Sequence, residues 1–131
     1  MITTLPIKDL HLEYRLWIAE LNFHLEMIAI FESHLENILK KNQSRKDILP
    51  QGEHFQNQFI REREVIKALK HQLNISERQL ASFTRDMSKV GYEFERLDNH
   101  SEVRDQFLTF RKIFSELKDE FHHFEGECSA F

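Results

Sequence analysis

Glu20 and His24 stand four residues apart in a stretch of helical periodicity, which sets a carboxylate and an imidazole one turn apart on the same face. Glu13 precedes Glu20 by one heptad and shares that face. A carboxylate and an imidazole inside a helical bundle are donors for a metal ion, as in the carboxylate-bridged di-iron bundles. Those centres take carboxylates from four helices and two Glu-x-x-His motifs. Here the motif is spelled once, in Glu120-Phe121-His122-His123, with Asp119 and His122 at the same spacing. It lies late in the chain's last helical stretch, whereas Glu20 and His24 lie midway along the first. In an up-and-down bundle the two pairs fall at different heights.

A second grouping follows from the same topology. His34 and Glu36, His54, and His122 with His123 belong to segments that meet at one end of such a bundle. Imidazoles gathered there are candidates for zinc or for a response to pH. Helix ends bring histidines together by chance as well, so no metal ligand is assigned to either group. Neither group completes a catalytic constellation. Cys128 is expected in a frayed tail with nothing to activate it, and the chain has no Gly-x-Ser-x-Gly turn, phosphate-binding glycine loop or cysteine pair. The sequence therefore points to a protein that is not an enzyme and uses no cofactor.

The elements that must carry these residues are legible from three seams whose positions step by four and three. The first is Leu10, Tyr14, Trp17, Leu21, His24, Ile28, Phe31, Leu35, Ile38. The second is Phe59, Glu62, Ile66, Leu69, Leu73, Ser76, Leu80, Phe83, Met87, Val90, and the third Val103, Phe107, Phe110, Phe114, Leu117, Phe121, Phe124. This spacing keeps one stripe of a helix against its neighbours. It predicts an all-α, up-down-up bundle of three long antiparallel helices with coiled-coil-like packing, one domain over residues 1–131. Polar groups at seam positions, here His24, Glu62 and Ser76, commonly fix register at some cost in stability.

The first helix is expected from near Pro6, with Thr4 as its cap, to near Asn42. The polar residues 43–50 close in Pro50, which disfavours helix at Leu49, so a turn is expected there and the second helix from about Gln51. Ser76 opens a capping-box-like Ser-x-x-Gln, and a break there gives the alternative four-helix bundle. The unbroken seam phase favours continuity. The second turn is expected at Asp98, Asn99, His100 and Ser101, where polar residues cluster and the seam loses phase. Gly91 is the other position for it.

Composition narrows the partners. The 131 residues carry a net charge of −4, from 22 acidic and 18 basic side chains, and no basic face emerges for phosphates, so nucleic acid is not expected. The longest apolar run, residues 27–31, is far too short for a membrane span. A single cysteine suits a reducing cytoplasm, and the first residues lack a signal-peptide pattern.

The first helix is too greasy for its place. Its apolar positions spread over roughly 240° of the helical wheel. A second stripe, Leu12, Leu16, Phe23, Met27 and Ile30, lies beyond the seam, and the remaining face carries Arg15, Asn22, Glu26, Ser33 and Lys40. Two neighbours cannot cover that arc, and exposed apolar surface of this extent marks an interface. A homodimer through the second stripe is expected. The competing arrangement makes the first helix central, wrapped by a second helix that bends or breaks at Ser76.

Three phrases, Trp17-Ile18-Ala19-Glu20-Leu21-Asn22-Phe23, His54-Phe55-Gln56-Asn57-Gln58-Phe59-Ile60 and Phe114-Ser115-Glu116-Leu117-Lys118-Asp119-Glu120-Phe121, resemble small helical proteins of Bacteroidetes-type bacteria. No function is attached to those proteins, so the likeness implies a helical fold and carries over no site.

Overall fold

The computed structural model describes the backbone of residues 7–86 and 93–129 and, within these, the side chains of residues 9–82 and 100–128. Three helices account for it: α1 (Ile7–Lys41), α2 (Ile48–Asp86) and α3 (Glu93–Ser129), with no strand among the described residues. Their 35, 39 and 37 residues make rods roughly 52 to 58 Å long. None of the described helices is long and apolar enough to cross a membrane.

Cross-helix pairs fix the directions. Glu13 with Arg104, Glu20 with Arg111 and His34 with Glu125 each pair α1 to α3 at a sequence separation of 91. A constant separation means that the two helices run parallel, and 91 is a whole number of heptads, so the same pair of faces meets at every level. Arg63 of α2 instead reaches back to Glu32, and Glu77 to His11, which sets α2 antiparallel to α1. The bundle runs up, down and up.

The three seams form its interior. Leu10, Leu21, Ile28, Phe59, Ile66, Leu73, Phe107 and Phe121 are completely buried, and Ser76 is partly buried. At one end Phe121 packs on Phe31, Phe55 and Phe59 with ring centroids 5.3, 5.3 and 5.1 Å away. Each such side chain contributes about 1.5–3 kcal/mol through the apolar surface it removes from water. Near the first turn α1 and α2 come so close that a β-carbon at Gly52 would overlap the Leu39 side chain.

The helix ends differ from the expectations in two places. Helix α2 starts at Ile48, ahead of Pro50, rather than near Gln51. Proline is tolerated in a first turn because its missing N–H has no intrahelical partner there. Starting early also buries Ile48, while Asp47 bonds Arg45 through both oxygens and accepts the Gln51 side-chain amide on its carbonyl. Across the turn the Asn42 amide donates to the Ile38 carbonyl at 2.7 Å.

The second difference concerns the other turn. Residues 98–101 are helical, so the turn expected there is overturned. Three residues ahead of Val103, His100 extends the seam one step backward, and its ring is 2% exposed. Burial on the seam outweighs the local polarity that reads as a turn. Gly91, like Thr4 and Pro6, lies outside the described residues. Helix α2 passes through Ser76 without interruption, which removes the four-helix alternative and the break at Ser76.

Candidate functional site

Packing of α2 and α3 against α1 leaves its second stripe uncovered. Leu12 is 57% exposed, Leu16 60%, Phe23 58% and Ile30 54%. Met27 departs from the expected set, being partly buried and packed against the core. With the exposed Ala19 between Leu16 and Phe23, the stripe again steps by four and three, the spacing that brings two helices together along a seam. Other large exposed apolar residues, such as Leu49 and Leu108, are scattered over α2 and α3.

The edges of the stripe differ in charge. On the α3 side, Glu13 and Glu20 are engaged by Arg104 and Arg111, the second through a two-pronged contact at 2.9 and 3.0 Å. On the other side, Arg15 and Glu26 are exposed and form no ion pair among the described residues. A cation and an anion on one edge, eleven residues apart, offer a charge pattern that a second helix can match.

The metal candidates resolve differently. His24 Nε2 donates to Glu20 Oε2 at 3.3 Å, so the expected pair does meet. Both Glu20 oxygens are already held by Arg111, however, and the His24 ring is wedged against Phe114 at 4.4 Å and Phe110 at 5.5 Å. Burial holds the His24 imidazole below its usual range, the Glu20 carboxylate opposing it, and its Nδ1 is buried with no partner. Burial by itself would raise Glu20, but the Arg111 and His24 contacts bring it below the ordinary carboxylate range. The arrangement is a Glu20–Arg111 ion pair with the His24 imidazole packed beside it.

Of the end histidines, His34 and His122 meet on Glu125, at 2.9 Å from Oε2 and 3.1 Å from Oε1. His123 turns to Glu127 at 3.0 Å, and the His54 ring packs on Phe55. Among the described residues, no three His, Cys, Asp or Glu side chains are grouped so as to hold a metal ion. Cys128 corrects the expectation of a frayed tail: it is 6% exposed within α3, and burial pushes its thiol up although Arg45 lies nearby.

Two buried polar residues make more of their seam positions than the sequence reading assigned them. His100 stacks on Trp17 at 5.6 Å, its Nε2 lies 3.2 Å from Glu13 Oε2 and 3.3 Å from Arg104 Nη2, and its Nδ1 lies 3.4 Å from the Tyr14 hydroxyl. Burial keeps this imidazole too below its usual range, against the pull of Glu13. One step before Val103 in the same seam, it was open to detection from phase alone. Glu62 was noted on its seam as a register residue, yet it is 3% exposed with no hydrogen bond or ion pair among the described residues. Burial raises its carboxyl above the ordinary range, with Arg61 acting weakly the other way. Comparison of the chain with protein-family models, curated proteins and solved structures finds no match.

Proposed function

We propose that this chain is a non-catalytic cytoplasmic interaction protein that pairs with a second copy of itself through the outer face of α1. The exposure of Leu12, Leu16, Phe23 and Ile30, all above half, carries the reading. These side chains follow a seam spacing, and a helix bearing the same spacing is the occupant that fills such a stripe evenly.

The charges choose the direction. Two α1 helices laid antiparallel, with Leu12 opposite the partner's Ile30, set Ala19 opposite the partner's Phe23, so the bulky ring meets the smallest residue of the stripe. An antiparallel pair also brings the same edge of each helix together. Arg15 then lies beside the partner's Glu26, and Glu26 beside the partner's Arg15, two matched pairs from one two-fold axis. A parallel pair would set the Arg15 and Glu26 edge against the edge where Glu13 and Glu20 already hold arginines. The lone cysteine fits a reducing compartment.

Replacing Phe23 and Ile30 together by Glu tests this reading, since both are exposed and neither supports the interior. The double variant is expected to keep its helicity and sediment as a single chain where the native protein sediments as two. A native protein that is monomeric at micromolar concentration, or a double variant that stays dimeric, overturns it.

A further inference from the structure

On the side of the bundle away from the α1 stripe, an open groove of 770 Å³ lies between α2 and α3. That volume lies in the range of small-molecule sites. Val65 and Leu69, one turn apart on α2, face Phe110 and Ile113 on α3. Ile113 is 43% exposed, a large side chain left on the groove edge. Gln58, Gln72, Gln106 and Thr109 supply amides and a hydroxyl around this apolar patch.

Glu62 lines the same groove. Its side chain is 3% exposed and meets no donor among the described residues. Of the other charges lining the groove, Arg61 beside it on α2 and Asp105 across from it on α3 are both exposed and of opposite sign. Glu62 is therefore the buried charge of the groove, an acceptor with no protein donor among the described residues and only the weak pull of the exposed Arg61 beside it. A buried carboxylate without a partner is unfavourable, and an incoming cation removes the penalty.

We infer that the groove between α2 and α3 binds a small amphipathic amine, its ammonium seated on the Glu62 carboxylate and its apolar body lying against Val65, Leu69, Phe110 and Ile113. The primary ammonium suits the site because it offers several donors from one compact head. The apolar floor of Val65, Leu69, Phe110 and Ile113 lies beside the carboxylate. A neutral or anionic body of the same length leaves Glu62 unpaired or repelled. The site is separate from the α1 stripe, so pairing of two copies leaves it open.

Calorimetric titration with n-octylamine, sodium octanoate and 1-octanol tests the inference at neutral pH, where the amine is protonated. The native protein is expected to bind one octylammonium per chain, with octanoate and octanol weaker by about 10- to 100-fold. Glu62→Gln, which keeps the shape and removes the charge, is expected to weaken the amine by a similar factor. Val65→Trp, which fills the groove without touching the carboxylate, is expected to abolish binding, with helicity measured to confirm that each variant folds. Equal affinity for all three probes, unchanged amine binding in Glu62→Gln, or no amine binding to the native protein overturns the inference.

Discussion

Glu62→Leu is expected to stabilise the protein, an unusual direction for a substitution in a helical interior. The wild-type carboxylate sits between the completely buried Phe59 and Ile66 on the α2 seam and is itself 3% exposed. With no protein donor facing it among the described residues, its desolvation is offset by no hydrogen bond within the chain. Relieving one such buried polar group is worth about 1–3 kcal/mol. Unfolding entropy near 2.1 cal/mol/K per residue, applied to 131 residues, converts that into a melting temperature higher by roughly 4 to 11 °C. Thermal denaturation followed by circular dichroism, at one fixed protein concentration so that association does not shift the midpoint, reads the difference. The pH dependence gives a second check. Because burial raises the folded-state carboxyl, the wild type is penalised most above that raised value. The penalty fades as pH falls towards the ordinary carboxylate range, where the folded and unfolded chains both hold the proton. The advantage of leucine should therefore be larger near pH 7 than near pH 4. A variant that melts at or below the wild-type temperature at pH 7, or a gain independent of pH, refutes the reasoning.

The two histidines packed in the bundle, His24 and His100, should behave oppositely. His24→Leu is expected to raise stability by about 1 kcal/mol at pH 7.5, since an unpartnered buried nitrogen is replaced by an apolar group among phenylalanines. That advantage should widen at pH 5.5: the folded imidazole is held below its usual range, so the unfolded wild type takes up the proton more readily than the folded one as pH drops through ~6.5. Urea denaturation at both pH values measures it, and a loss of stability at pH 7.5 contradicts it. His100→Phe is expected to lose about 1–2 kcal/mol at pH 7.5, because both ring nitrogens face polar partners, Tyr14 and Glu13. A neutral or stabilising result in the same denaturation assay contradicts that assignment.

The bundle was legible because nearly every seam residue with a described side chain is buried, from Leu10 to Leu35 on α1 and from Val103 to Phe124 on α3. Periodicity reports which face is inside, and here it reported almost nothing else. It misled at residues 98–101, where local polarity looked like a turn, yet the buried His100 belongs to the seam. It misled again at Pro50, where dipeptide preference gave way to the burial of Ile48. The exposed stripe was legible from the width of the apolar arc, Met27 excepted. The groove at Glu62 was not. A charged residue on a seam reads equally as a register device or as a ligand contact, and only the packing shows that α2 and α3 leave the carboxylate facing an open cleft. Likewise, spacing puts Glu20 and His24 on one face, but it does not show that Arg111 reaches the carboxylate from α3.

Sedimentation equilibrium of the unmodified protein over a range of micromolar concentrations tests most directly whether the outer face of α1 joins two copies. The account predicts a mass twice the 15.8 kDa of one chain, falling to one chain when Phe23 and Ile30 are both made Glu. A mass of 15.8 kDa for the native chain throughout contradicts it.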